Sequence, residues 1–167
     1  MERKDIVLDV QKLNTSFISD KKEIKIVKDV SFQLKRGTTL AIVGESGCGK
    51  SVTVHSVMRL LAANSKFGAE KVAYMEKKDD GSVVEHDLSK MKPKGKEIRA
   101  LRGPHLSMVF QDPMSSLNPV YRVGDQVAEG LLQHNKGMSK AEAKEKVLEM
   151  FRNLGIPDPE SRINDFP

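Results

Sequence analysis

The chain has 167 residues, enough for one domain with a hydrophobic core, and its 38% hydrophobic and 31% charged residues favour a folded protein over a disordered one. The formal net charge is +5, but acidic and basic residues are mixed and no basic block is interleaved with aromatics, which argues against a nucleic-acid-binding surface. No stretch approaches the roughly 18 apolar residues that cross a bilayer, so we expect that, if the protein works at a membrane, it sits on a partner there rather than inserting itself.

Three strand segments are predicted in the first third of the chain. Apolar residues alternate with polar ones across residues 6–10, 24–26 and 30–34, as in strands with one buried face. A continuous apolar run, TLAIV at residues 39–43, predicts a strand covered on both faces. Residues 51–63, SVTVHSVMRLLAA, then place apolar side chains at helical spacing.

The middle of the chain predicts a hairpin, a short helix and one more strand. Asp80-Gly81 lies between apolar residues and predicts the turn of a β-hairpin. EIRALRG, residues 97–103, predicts a helix that ends before Pro104. LSMVF, residues 106–110, is a further strand candidate.

The last third predicts helix. Ser139 and Glu142 have the spacing of a capping box, and Gly155 followed by Pro157 provides a stop. One apolar stripe is formed by Val147, Leu148, Phe151 and Leu154. The predicted architecture is an α/β nucleotide-binding core, with an antiparallel β region before it and a helical segment after it.

Residues 44–51, GESGCGKS, fit the phosphate-loop pattern G-x-x-x-x-G-K-[ST], with a predicted strand before and a helix after. The candidate nucleotide-binding residues are Gly44, Glu45, Ser46, Gly47, Cys48, Gly49, Lys50 and Ser51. Glycines allow the backbone to approach a phosphate, and N–H groups at the helix start provide positive dipoles. Lys50 supplies a charge to the β- and γ-phosphates, and Ser51 supplies a hydroxyl to Mg²⁺.

The loop alone does not distinguish a kinase, GTPase, helicase or transport motor. The sequence has no Asn-Lys-x-Asp motif for guanine recognition, and Arg99 with Arg102 is too few arginines for a kinase lid. MVFQDPMSSLNP, residues 108–119, together with IVGESGCGKS, resembles the ATP-binding subunits of ABC transporters, in particular importers of oligopeptides, dipeptides and nickel. The resemblance extends over nearly the whole chain.

The resemblance implies roles for two further residues. Gln111 matches the glutamine whose carbonyl oxygen completes the Mg²⁺ shell and helps to position the attacking water. Phe17 matches the position of an aromatic ring that stacks on adenine, although a core phenylalanine is nearly as plausible from the residues alone.

The resemblance also implies the fold, the organisation and the setting of the chain. The fold is a truncated phosphate-loop NTPase core of the ABC type, related to RecA, in which residues 1–110 hold the β region and loop while residues 111–167 begin the helical subdomain. The cofactors are ATP and Mg²⁺. The implied partners are transmembrane permease subunits and a second ATP-binding subunit, on the cytoplasmic face of the cell membrane, with no nucleic acid.

Several parts of the family pattern are missing from this sequence: the Leu-Ser-Gly-Gly-Gln-like signature, the Walker B Asp-Glu and the switch histidine. We therefore expect an N-terminal portion of one nucleotide-binding domain. Three functions stay open: an ATPase subunit of a peptide or nickel importer, a nucleotide-binding or permease-docking fragment without turnover, and an ABC ATPase that acts on nucleic acid or ribosomes. The last is disfavoured by FQDPMSSLNP.

Overall fold

A computed structural model describes residues 5–111 and 116–167, and the chain divides into two compact units, one ending at His105 and one beginning at Leu106. The strands of the first unit are β1 (Ile6–Ser19), β2 (Lys22–Lys35), β3 (Ser65–Gly68), β4 (Lys71–Lys77) and β5 (Val83–Asp87). Its helices are α1 (Lys50–Val57) and α2 (Lys96–Leu101). None of the helices in the described ranges is both long enough and apolar enough to span a membrane.

The sheet of the first unit is antiparallel throughout, with the strand order β2-β1-β4-β5 and with β3 paired to β1. β1 and β2 form a long hairpin whose two turn residues, Asp20 and Lys21, have φ values of 50° and 63°. Two positive φ values are what a two-residue type I′ turn requires. The predicted antiparallel β region is confirmed.

The predictions for the middle of the chain are confirmed for the hairpin and for the short helix. β4 and β5 pair across the Asp80-Gly81 turn, where Gly81 has a φ of 82° and the Lys78 N–H donates to the Ser82 carbonyl at 2.9 Å. α2 occupies Lys96–Leu101, and its Ile98 and Leu101 are buried.

The core of the first unit is built from residues of the sheet and of the two helices. Hydrophobic side chains with at most about a tenth of their surface exposed come from β1, β2, β4, α1 with its C-cap, α2 and the residue after β5: Ile6, Val10, Leu13, Val27, Val57, Met58, Val72, Ala73, Met75, Leu88, Ile98 and Leu101. Within this core α1 packs against β1 and β2, which positions the loop that precedes α1.

α1 is shorter than its apolar pattern predicts, because it ends at Val57 rather than continuing to residue 63. Arg59 has a φ of 55°, its N–H donates to the Ser56 carbonyl at 3.0 Å, and the Leu60 N–H donates to the His55 carbonyl at 2.8 Å. These two bonds form a Schellman motif, which usually has glycine at the position of Arg59.

Two predicted strands are not formed. Residues 39–43 have no regular structure, no described strand pairs with them, and Val43 is 86% exposed. Residues 107–110 also lack regular structure, and Val109 is 99% exposed. A strand covered on both faces needs hydrogen-bonded neighbours, and β1 to β5 bond to one another instead. The prediction of strands at TLAIV and LSMVF was therefore wrong.

The second unit contains α3 (Val123–His134), α4 (Lys140–Asn153) and α5 (Pro159–Arg162). The predicted capping box is present: the Glu142 N–H donates to the Ser139 hydroxyl, and the Ser139 N–H donates to the Glu142 carboxylate. Gly155, with a φ of 69°, ends α4 as predicted. The buried cluster of the unit is Ala128, Ala143, Val147, Phe151 and Ile163.

The predicted apolar stripe of α4 is correct in part. Val147 and Phe151 are buried and Leu148 packs against them, whereas Leu154 is 70% exposed. Leu154 is the C-cap of α4, where the chain turns away from the helix, so that its side chain leaves the stripe.

The start of α3 is joined to the segment after α5. The N–H groups of Val123 and Gly124 donate to the carbonyls of Asp165 (2.9 Å) and Ile163 (3.0 Å). A Cβ at Gly124 would collide with the Ile163 backbone carbonyl and side chain. Glycine at 124 therefore permits a contact that no larger residue allows.

Candidate functional site

The loop of residues 44–49 is shaped by left-handed glycines and by its contact with β2. Gly47 and Gly49 have φ values of 81° and 98°, which strain any residue that carries a Cβ. A Cβ at Gly49, the N-cap of α1, would also lie 3.2 Å from Ile26 Cγ2 and 3.3 Å from the Ile26 carbonyl oxygen. Both the backbone conformation and this close approach require glycine at 49.

The Lys50 side chain forms hydrogen bonds with the backbone of the loop that precedes it. Its Nζ donates to the carbonyl oxygens of Gly44 at 2.8 Å and Glu45 at 2.6 Å. An ammonium group has three N–H donors, and the third is directed to the Cys48 Sγ, a weak acceptor that an anion at the loop would replace. The Cys48 Sγ, 3.8 Å from Lys50 Nζ, belongs to an exposed, free cysteine.

The first turn of α1 provides the positive end of a helix dipole. Its N–H groups have no acceptor within the helix, and no acidic residue lies in this turn to neutralise them. Ser51 is exposed at this end. An arrangement of loop N–H groups, helix terminus and ammonium suits a phosphate group.

α1 is joined to the sheet by buried hydroxyl groups that no motif in the sequence marks. The Thr53 hydroxyl donates to the Gly49 carbonyl at 3.0 Å, which stabilises the first turn. The hydroxyls of Thr15 on β1 and Ser56 on α1 lie 2.7 Å apart, and both residues are buried. A serine at a core position of a short helix is the only sequence signal that could have indicated this contact.

Phe17 lies on β1, in register with Ile24 of β2 and Ser65 of β3, and it is half-buried. Ile26, the residue that contacts Gly49, is two positions along β2 from Ile24. The same strand pair thus carries Phe17 and supports the loop. A half-buried ring retains a face for stacking, which a core ring does not.

Gln111 belongs to the second unit and is exposed. It follows residues 107–110, which lack regular structure, and is the last described residue before the gap at 112–115. The resemblance also implies that the loop of residues 112–122 faces the membrane subunits, and this loop lies in part outside the described residues.

Glu76 on β4 is the centre of a polar cluster on the sheet. Its carboxylate contacts Lys78 Nζ at 2.7 Å, His86 Nε2 at 2.8 Å and His105 Nε2 at 3.5 Å. The hydrogen bond from Lys78, followed by that from His86, lowers the pKa of Glu76 from its ordinary value of 4.5 to about 2. No motif or spacing in the sequence marks this carboxylate as part of a cluster.

Within residues 5–111 and 116–167, no group of three His, Cys, Asp or Glu side chains is arranged to hold a metal ion. A Mg²⁺ bound with phosphate oxygens does not need one, because such an ion is held by few protein ligands and by waters.

A glycine loop of this conformation, closed by a lysine at the start of a helix, is characteristic of phosphate-loop proteins. Residues 27–166 match the family described as ABC transporter. The chain belongs to this family.

Curated relatives of the chain also support its membership of this family. The chain is 44% identical to the dipeptide transport ATP-binding protein DppD of Lactococcus lactis over 161 residues, which are 96% of this chain and 43% of DppD. It is 45% identical to DppD of Bacillus subtilis, with 96% and 45% covered, and 40% identical to the oligopeptide transport ATP-binding protein OppD of Escherichia coli, with 99% and 45% covered. The chain thus spans less than half the length of these relatives.

Solved structures of ABC cassettes share the fold. The dimeric cassette MJ0796, a bacterial ABC transporter protein, superposes with a TM-score of 0.72 at 19% identity, covering 96% of this chain and 61% of that one. The same cassette bound to ADP and Pi superposes with a TM-score of 0.69. The predicted ABC-type α/β fold is confirmed, although its predicted strands at residues 39–43 and 106–110 are not formed here.

Proposed function

We propose that this chain is the phosphate-loop part of the ATP-binding subunit of an ABC importer that drives peptide uptake. The observation that carries the proposal is the loop itself, in which Lys50 Nζ closes on the carbonyls of Gly44 and Glu45 at the positive end of α1. This arrangement fits the β- and γ-phosphates of ATP.

Different groups of the loop would bind the β-phosphate, the γ-phosphate and Mg²⁺. Backbone N–H groups of residues 46–51 would bind the β-phosphate, and Lys50 would bind between the β- and γ-phosphates. Ser51 would direct its hydroxyl to Mg²⁺. The bound ion would neutralise charge on the β- and γ-phosphates.

Two residues outside the loop complete the proposal. Phe17 would stack on adenine, which its half-buried ring and the shared support of β2 favour. Gln111 would complete the Mg²⁺ shell and hold the attacking water. The proposal also divides the chain between residues 110 and 111. The β region and the phosphate loop lie before this boundary, and Gln111, its loop and the helical segment lie after it.

Peptide as the transported class is supported by the names of the relatives, which are dipeptide and oligopeptide transport proteins. Permease subunits, a second ATP-binding subunit and a position at the cytoplasmic face of the membrane follow from the same proposal. The description of MJ0796 as dimeric supports pairing of two cassettes.

A second candidate is nucleotide binding and permease docking without turnover. It is favoured by the exposure of Val43 and Val109, because the segments leading to the loop and to Gln111 lack the strand pairing that would hold them rigid. Catalysis by positioned groups needs such rigidity.

ATP binding is the first test. Titration of the chain with a fluorescent ATP analogue in the presence of Mg²⁺ should give saturable binding, which Lys50→Ala should abolish. Lys28→Ala, which removes an exposed lysine of β2, is the matched control and should bind as the unaltered chain does. Replacement of Mg²⁺ by EDTA should weaken binding to the unaltered chain more than binding to Ser51→Ala. Equal affinity in Lys50→Ala and the unaltered chain contradicts the proposal.

Steady-state ATPase measurements then separate the two candidates. Phosphate release that Lys50→Ala abolishes supports an importer subunit, whereas binding without release supports the second candidate. Co-purification with peptide permease subunits from membranes tests the transport assignment, and co-purification with RNA instead would contradict it.

A further inference from the structure

The end of α1 farthest from the phosphate loop is held by a guanidinium group. Arg102, the C-cap of α2, donates from Nε and Nη2 to the Met58 carbonyl at 3.0 and 2.6 Å, and from Nη2 to the Arg59 carbonyl at 2.7 Å. α1 has eight residues and is therefore about 12 Å long. One short rigid helix thus has the phosphate loop at one end and Arg102 at the other.

These carbonyls need a partner from outside the helix. The last carbonyls of a helix accept no hydrogen bond from N–H groups of the same helix. At the end of α1, the two Schellman bonds satisfy only the carbonyls of His55 and Ser56. Arg102 binds the carbonyls of Met58, the C-cap of α1, and of Arg59, the residue after it. Its charge also lies at the negative end of the α1 dipole, where a cation is stabilising.

The same contact joins α1 to other parts of the first unit. Arg102 Nη1 donates to the Pro93 carbonyl at 3.1 Å. Arg59 Nη2 donates to the Met91 carbonyl at 3.3 Å, and the Arg59 guanidinium lies 3.7 Å from the centre of the Phe67 ring. The end of α1 is therefore attached to the turn before α2 and to β3, and it cannot slide along its axis while these bonds persist.

We infer that Arg102 is a positioning residue of the nucleotide site: by holding the C-terminal end of α1, it sets where Lys50 and the N–H groups of the first turn meet the phosphates. The inference rests on the proposed function. Arg102 also lies nine residues before Gln111 in the chain. The residue that binds the end of α1 therefore begins the segment that leads to Gln111, the candidate Mg²⁺ ligand.

The experiment compares Arg102→Ala with Arg99→Ala in the 167-residue chain. Both variants remove one arginine from the same short helix region, but Arg99 is exposed and binds none of the α1 carbonyls. Arg102→Ala should raise the Kd for Mg²⁺-ATP about tenfold, the scale of one or two lost charge-assisted hydrogen bonds. Arg99→Ala should change the Kd by less than about twofold.

A second measurement separates positioning from general stability. Cys48 is the only cysteine of the sequence and lies in the loop, so its rate of reaction with a thiol reagent reports on the loop alone. Without nucleotide and far below the melting temperature, this rate should differ between Arg102→Ala and the unaltered chain and be the same in Arg99→Ala. A role limited to stability would lower the melting temperature and leave both the rate and the Kd unchanged.

Conservative variants cover the case in which Arg102→Ala does not fold. Arg102→Lys keeps the cation at the helix end and should bind ATP better than Arg102→Gln, which loses the charge. Unaltered affinity and Cys48 reaction rate in Arg102→Gln overturn the inference while the proposed function stands. Absence of ATP binding by the unaltered chain overturns both.

Discussion

The Thr15 hydroxyl on β1 donates to the Ser56 hydroxyl on α1 at 2.7 Å, and Ser56 in turn donates to the Val52 carbonyl at 2.6 Å. Both residues are buried, so neither hydroxyl has water as a substitute partner. This short chain of hydrogen bonds fixes the helix that follows the phosphate loop to the sheet.

Removal of one hydroxyl should therefore be more harmful than removal of both. Ser56→Ala leaves the Thr15 hydroxyl buried without its partner and should lower the free energy of unfolding by about 1–3 kcal/mol. The double variant Thr15→Val/Ser56→Ala should recover part of this loss. Urea unfolding measures both, with Thr39→Val at an exposed position as the control. Additive losses in the double variant would show that the two hydroxyls are not coupled.

Gly49→Ala should destabilise the chain and abolish ATP binding. The φ of 98° strains an alanine by about 1–2 kcal/mol, and the added Cβ meets the Ile26 carbonyl, so the loop must move away from β2. Gly81→Ala, in the β4–β5 turn, has a similar φ of 82° with open space around it, and should show the strain without the loss of binding. Unchanged ATP affinity in Gly49→Ala would contradict the close approach as a requirement of the site.

Alkylation of Cys48 with a bulky maleimide should block ATP binding. The Cys48 Sγ lies 3.8 Å from Lys50 Nζ and next to Gly44, so an adduct would occupy the space above the loop. Bound Mg²⁺-ATP should in turn slow the labelling. Cys48→Ser should bind ATP and resist the reagent. Full labelling with unchanged affinity would exclude this geometry for the site.

Glu76 should contribute stability that depends on pH. Its pKa in the folded chain is lowered to about 2 from an ordinary value of 4.5, by Lys78 first and then His86. A lowered pKa means that the contribution is present above pH 4.5 and is lost as the pH falls from 4.5 towards 2. Glu76→Gln should flatten the stability profile in this window, measured by urea unfolding at each pH. Glu149→Gln, at an exposed position on α4, should leave the profile as it is.

Local chemistry in the sequence was sufficient for several elements. The capping box of Ser139 and Glu142, the stop at Gly155 and the turn at Asp80-Gly81 each depend on a few adjacent residues, and all three were predicted correctly. The phosphate-loop motif also predicted where α1 begins, because the glycines and Lys50 act within a single turn.

Features that depend on distant residues were not predicted. The apolar run at 39–43 satisfies the pattern of a buried strand, but a strand forms only where another pairs with it. The end of α1 was not predicted because Arg59 has a positive φ, at a position where glycine is usually found. Only the contacts of its side chain with Met91 and Phe67 explain an arginine there. The carbonyls of Met58 and Arg59, which Arg102 binds, lie 44 and 43 positions earlier in the chain.

The contact of Gly124 with Ile163 has a practical consequence for anyone who trims this protein. The carbonyls of Ile163 and Asp165 act as the N-terminal cap of α3, although they lie about forty residues after it in the chain. A version shortened to end with α4 would keep every residue of α3 and still expose two of its N–H groups and the side of Gly124. Any shortened version that is to keep the start of α3 capped must therefore include Ile163 and Asp165.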